Sequence, residues 1–388
     1  MRIGIYHDAA GTRHSGGIAI FARRIAVELA EGHDVFLYTR DGDVPARLEQ
    51  SAVSVVTAPR FDDVLPSVLD TLSPFGRQFH AKVAMATWGY YNGLVEHIDE
   101  HVDVLLTFQY LDDLMLSNVV DVPTVYEFHS FDQVGLGAKL RDRFSQTDSV
   151  LANSADTAKR VEAEFGYEVD DIVFPGVDLD VFQPDIDPAF SSSEPVVLFV
   201  GRLVESKGVF DLLEAVAGLD RSVELHLIGS GVEDRIRERC RKLGLAESVV
   251  FWGEVDHRDL PRYYAAADVF CLPSHAETFG MANIEAMACG LPVVTADLEG
   301  IRTYVDDGTS GFLVDVGDTE SIATALERLL SDPQRRAEVG MHAREAIRPF
   351  SWRAQATRLE AFCADVVDDR SDDGREPESA VRPKTVQR

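Results

Sequence analysis

"RIGIYHDAAGTRHSGGIAIFARRIAVELAEGHDVFLYT" (Arg2–Thr39) decides the fold. "RIGIY" is a short apolar run of strand character, and "GTRHSGG" after it is a loop rich in Gly and Ser. Ile18, Phe21, Ile25 and Leu29 then recur at helical spacing, and Gly32 stops the helix. "HDVFLYT" is the next strand. A strand, a loop, a helix and a second strand form the opening unit of an open parallel sheet.

The alternation continues through "SVVTA", "VDVLLTF", "PTVYEF", "SVLAN" and "DIVFP". "PDIDPAFSSSEP" then has the Pro, Ser and acid content of a linker. Beyond it the opening repeats: "PVVLFVGR" is a strand, "LVESKG" a loop, "VFDLLEAVAGL" a helix and "VELHLIGSG" a strand ending in glycines. "VVFWGEV", "DVFCLPS" and "PVVTA" extend the second sheet. The expected architecture is α/β, two doubly wound Rossmann-like domains in tandem, at 1–184 and 195–350. The helical pattern at 351–367 completes the first domain. The charged, breaker-rich segment 368–388 reads as a disordered tail. Sheets of this kind bind ligands at the carboxyl ends of their strands.

The 66 acids against 37 bases leave a formal charge of −29, a field that repels nucleic acid. Only six of the bases are lysines, at 82, 139, 159, 207, 242 and 384. An acidic, lysine-poor surface suits a salt-rich cytoplasm such as that of a halophilic archaeon, where salt screens self-repulsion. The cysteines at 240, 271, 289 and 363 show no metal-ligand spacing, and Cys271 and Cys289 read as small core residues. With neither a leader pattern nor an apolar run of about 18 residues, the chain is expected to be cytoplasmic.

The loops say which ligand is wanted. "GSGVED" at Gly229–Asp234 is only a partial dinucleotide fingerprint, and there is no P-loop. "VGRLVESKG" instead ends a strand with Arg202 and places Lys207 beside Gly208. Two cations there would offset the charge of a diphosphate. "HAETFGMANIEAMACG" (His275–Gly290) sets Glu277 before a turn at Phe279–Gly280 and Glu285 inside the following helix, which starts near Met281. That helix N-terminus offers unpaired N–H groups to an anion. Each carboxylate accepts two hydrogen bonds and so suits a vicinal diol. The two acids would bracket a diphosphate with a sugar on either side, the layout of a nucleotide sugar.

These motifs resemble glycosyltransferase family 4, the retaining enzymes of GT-B fold. Glu277 and Glu285 match the family's pair of glutamates with seven residues between, and "VGRLVESKG" is similar to its Gly-Arg-Leu…Lys-Gly. "LIGSG", "AAADVFCLPS", "SGGIAIFARRIAVELAEGHDVFLYT" and "PTVYEFHSFD" follow the family order, so the resemblance runs from about residue 2 to 365. It implies that Arg202 and Lys207 hold the diphosphate and that Glu277 binds donor-sugar hydroxyls near the Phe279, Gly280 and Met281 backbone. Glu285 would bind ribose, Gly229 and Gly231 would belong to the donor loop, His129 would reach the donor sugar, and Gly16 and Gly17 would close over the phosphates. The implied transfer retains configuration and needs no metal and no cofactor. One departure stands out: Glu299–Gly300–Ile301–Arg302–Thr303 carries its acid at 299 where the family often has one near 303.

The acceptor side is less readable. From Thr71 to Val95 there is no acid, where about four would be expected from 66 in 388 residues. Arg77, Lys82, Trp88, Tyr90 and Tyr91 fall in this window, a mix suited either to a peripheral membrane or lipid-phosphate surface or to a buried helix pair. The leading expectation is therefore transfer from a UDP- or GDP-sugar to a lipid-linked or cell-surface glycan acceptor. The alternative is a soluble-acceptor synthase of the sucrose, trehalose or osmolyte kind; a nucleotide-sugar epimerase ranks below both.

Overall fold

The fold was obtained as a computed structural model that describes residues 1–12, 17–59, 76–108, 116–129 and 147–372. The chain divides into two compact units, Met1–Phe174 with Gln355–Arg388, and Pro175–Ala354.

The first unit is built on a seven-stranded sheet of β1 (Arg2–Tyr6), β2 (Asp34–Arg40), β3 (Ser54–Ala58), β4 (Val104–Phe108), β5 (Thr124–Phe128), β6 (Ser149–Ala152) and β7 (Asp171–Ile172). Its order is β3-β2-β1-β4-β5-β6-β7, with every pair parallel. The reversal of direction lies between β1 and β4, as in doubly wound sheets. Every residue of β4 and β5 is buried, the mark of strands covered on both faces. The helix Gly17–Leu29 buries Phe21, Ile25 and Leu29, three of the four positions whose spacing announced it.

The second unit carries a six-stranded sheet of β8 (Val196–Val200), β9 (Glu224–Ile228), β10 (Val249–Gly253), β11 (Val269–Leu272), β12 (Val293–Ala296) and β13 (Phe312–Val314), in the order β10-β9-β8-β11-β12-β13. Here too all pairs are parallel. β13 has no counterpart in the sequence reading, because three residues next to Gly311 give no periodicity to detect.

Residues 175–184 sit with the second unit rather than ending the first. The reason is local: the Val177 N–H donates to Phe350 O at 2.9 Å, and the Trp352 N–H donates to Val177 O at 3.1 Å. A Cβ on Gly176 would lie 2.7 Å from the Trp352 backbone, so only glycine permits this approach. The last helix, Trp352–Asp372, extends past 367. Arg370 anchors its end by an ion pair to Asp148 at 3.2 Å and a bond to Asp121 O at 2.9 Å, so 368–372 are helical. The rest of the tail lies outside the described residues.

All four cysteines are buried and free, and burial pushes the Cys363 thiol up to about 12. Among the described residues no helix is long and apolar enough to cross a membrane.

Candidate active site

β8 and β11 are neighbours at the centre of the second sheet, and the loops leaving their carboxyl ends build one pocket of about 370 Å³. Gly201, Arg202 and Lys207 line it from the β8 side, and Glu277, Thr278, Phe279, Gly280 and Met281 from the β11 side. Lys207 closes a single turn of 3-10 helix, Glu205–Lys207, whose C-cap is Gly208 at φ +71°. A Cβ at Gly208 would stand 2.0 Å from Pro273 O, so the two loops pack this closely because the side chain is absent. The His275 N–H donates to Ser206 O at 2.9 Å, and the His275 ring pairs with Asp211.

This packing delivers the Lys207 ammonium to Oε2 of Glu277, with which it forms an ion pair. Ser274 Oγ is at the edge of reach of the same oxygen, 3.5 Å away. Arg202 is exposed and, among the described residues, pairs with no carboxylate. The pocket therefore presents two cations against one carboxylate, a net attraction for an anion.

The turn before the helix Met281–Ala288 is held from beneath. Gly280 takes φ +80°, and a Cβ there would crowd Asn283, Ile301 and Tyr304 at about 3 Å. Tyr304 donates its hydroxyl to Phe279 O at 2.6 Å, and burial pushes that phenol far above its ordinary range. Asn283 donates to Thr295 Oγ1 at 3.1 Å, and Thr295 donates to Leu272 O at 3.0 Å. Strand ends, helix start and turn are thus one hydrogen-bonded block, and the helix N-terminus opens on the pocket through Met281 and Ala282. The departure at Glu299–Thr303 belongs to this block: a Cβ on Gly300 would stand 2.0 Å from Thr278 O.

Glu285 is placed differently from Glu277. It is 5% exposed, and Tyr264 donates to its Oε2 at 3.0 Å while His257 Nε2 lies 2.7 Å from Oε1. It does not line the pocket, although a carboxylate so held keeps further lone pairs for a ligand. Gly229 and Gly231 do not line the pocket either. They bring their loop onto the β8 loop, with Leu203 N–H to Ser230 O and Val232 N–H to Leu203 O, both at 2.8 Å.

In the first unit, His129 follows β5 directly and is 9% exposed. Oε1 of Glu127 lies 3.1 Å from its Nε2, close but off the in-line direction of a hydrogen bond. Phe21 stands edge-on to the ring at 4.6 Å, and Phe108 is tilted to it at 5.6 Å. Gly17 opens the first helix with open space where its Cβ would be, and Gly16 lies outside the described residues. The acid-free window splits. Trp88 packs against the core of Tyr6, Tyr38, Met85, Leu94 and Ile98, so it belongs to a helix pair rather than to a surface. Tyr90 and Tyr91 are exposed, at 37% and 75%. The side chains of Arg77 and Lys82 lie outside the described residues. Among those described, no group of three His, Cys, Asp or Glu could hold a metal ion.

The sequence reading passed over Glu127, His257, Tyr264, Asn283 and Tyr304. Of these, Glu127 carried a signal: an acid inside the apolar run "PTVYEF" has to be buried with a partner.

Comparison with known proteins identifies the family. The family described as "Glycosyltransferase Family 4" matches residues 15–181, and the one described as "Glycosyl transferases group 1" matches residues 185–346. The D-inositol 3-phosphate glycosyltransferase of Frankia alni is 31% identical over 397 residues, covering 90% of this chain and 94% of that protein. The enzyme of the same name from Nocardia farcinica is 30% identical, covering 90% and 84%. Among solved structures, sucrose-phosphate synthase from Thermosynechococcus elongatus superimposes with a TM-score of 0.71 at 24% identity, covering 95% of this chain and 99% of that one. Anabaena HepE, solved with UDP and glucose, gives 0.70 at 21% identity, with 94% and 99% covered. These relatives are bacterial, and neither they nor the fold speak for an archaeal source or a membrane surface. On the strength of matches in both units and of relatives aligned along nine-tenths of its length, the chain belongs to the family 4 glycosyltransferases of GT-B fold.

Proposed function

We propose that the protein transfers a hexosyl group from a UDP- or GDP-sugar to a small, soluble, hydroxylated acceptor, with retention of configuration and without a metal. The observation that carries this reading is the convergence of Arg202, Lys207 and Glu277 on one pocket at the start of a helix. The diphosphate lies against Arg202, Lys207 and the helix N-terminus, and these groups stabilise the charge that grows on the leaving phosphate. Glu277, already oriented by Lys207, accepts hydrogen bonds from sugar hydroxyls through its remaining lone pairs. Glu285 does the same for the ribose, beside Tyr264 and His257. The bond from C1 to the diphosphate oxygen breaks, and the acceptor oxygen bonds to C1 on the same face. The acceptor proton passes to the departing phosphate oxygen, so no further base is required.

For the acceptor, the soluble alternative now stands ahead of a lipid-linked glycan. Its support is the name shared by the relatives, whose acceptor is a phosphorylated polyol, and the inward packing of Trp88. Transfer is tested with a panel of UDP- and GDP-sugars against polyol phosphates and lipid-linked acceptors, in chelator, with the product anomer read by NMR. Retained product from a polyol phosphate supports the reading; an inverted product, dependence on added metal, or activity confined to lipid acceptors contradicts it.

We also propose that the acidic surface is adapted to salt, on the six lysines among 37 bases. The unfolding midpoint should then rise from low salt into molar KCl; a flat profile would refute it.

A further inference from the structure

Glu127 is fully buried, inside a strand, with the His129 imidazole 3.1 Å away. Taking a carboxylate out of water costs several kcal/mol unless a partner offsets it. Its carboxyl is pushed above the ordinary range by that burial, an effect opposed by His129. The transfer chemistry above does not use it.

The neighbouring amide fixes which nitrogen of His129 carries hydrogen. Ser154 donates to Thr157 Oγ1 at 3.0 Å, and Thr157 donates to Asn153 Oδ1 at 2.7 Å. With its oxygen so committed, Asn153 turns its NH₂ toward His129. That NH₂ donates to His129 O at 3.1 Å and lies 3.4 Å from Nδ1. A donor facing Nδ1 requires a lone pair there, so the hydrogen sits on Nε2, the nitrogen 3.1 Å from Glu127 Oε1, where the negative carboxylate favours it although the two are off the line of a hydrogen bond. Nε2 is itself buried. A protonated Glu127 would reverse this, placing a hydrogen on Nδ1 against the amide hydrogens of Asn153.

We propose that Glu127 is a positioning residue for His129: with Asn153 and Thr157 it locks the imidazole in the Nε2–H tautomer and leaves Nδ1 to accept a hydrogen bond from a substrate hydroxyl. The long 3.4 Å contact to Asn153 is the one such a hydroxyl replaces. The proposal rests on the reading of His129 as a substrate-contacting residue.

The test combines ¹⁵N-histidine NMR of the whole protein with steady-state transfer. In the wild type, His129 should show a single Nε2–H tautomer. Glu127→Gln keeps an oxygen beside Nε2, so it should retain the tautomer and turn over within about threefold of wild type. Glu127→Leu should fold, show mixed tautomers and lose about 10- to 100-fold in kcat with little change in KM, as when other imidazoles lose the group that fixes them. An unchanged tautomer and kcat in Glu127→Leu would overturn the proposal alone. Normal turnover in His129→Ala would overturn the reading of His129 beneath it, whatever the NMR shows.

Discussion

The two units place their charges in opposite ways at the ends of comparable parallel strands. In the second unit Lys207 and Glu277 are partly exposed on loops, with an open pocket beside them. In the first, Glu127 and His129 are sunk among Phe21, Phe108 and Asn153. The open arrangement can bind a highly charged ligand, because its cations are not fully consumed by protein partners. The buried one has little charge to offer and a well-defined orientation instead. Under the proposed function, binding falls to the exposed side chains and orientation to the buried ones.

The comparison breaks most easily on the open side. Lys207→Ala should lower kcat/KM by about 10² to 10³, the usual loss when one donor to a developing anion is removed, with the fold intact. Glu277→Ala should also be severe, and the double variant should fall well short of the sum, since the two side chains hold each other. Additive losses would show that the ion pair is incidental. Next in size is Gly208→Ala, which places a Cβ against Pro273 O at a left-handed φ. It should destabilise the second unit by about 1–3 kcal/mol and weaken donor binding, read by denaturant unfolding and calorimetry. Tyr304→Phe removes the bond to Phe279 O and should cost about 1 kcal/mol, with a smaller effect on kcat than on stability.

The smallest effect belongs to the first unit. Arg358 holds the Asp171 carboxyl below its ordinary range, chiefly by hydrogen bonding. That contribution is complete above the pKa of an unfolded aspartate and fades as pH falls through the lowered folded value. For a half-exposed pair it amounts to about 0.5 kcal/mol. Arg358→Leu should flatten the acid limb of the stability curve by that much and leave transfer unchanged.

The pocket of the second unit was legible in the sequence because the residues that build it are local. Arg202, Lys207, Gly208, Glu277 and Gly280 lie on two loops whose glycines, charges and flanking apolar strands can be read in a few residues each. The different environments of Glu277 and Glu285 were not, because Tyr264 and His257 approach Glu285 from 21 and 28 residues away. The pairing of Glu127 with His129 spans only two residues, yet its meaning depends on Asn153 and Thr157 from another strand and helix. Trp88 shows the same limit: composition made it a surface candidate, and the packing of two helices against β1 and β2 turned it inward.

The most direct test of the central claim is calorimetric titration of UDP, GDP and their sugars into the wild-type protein and the Lys207→Ala variant, without acceptor. One nucleotide series should bind the wild type, with affinity falling at least tenfold in the variant, about 1.4 kcal/mol. Equal affinity in both proteins would contradict a diphosphate held by Lys207 in this pocket.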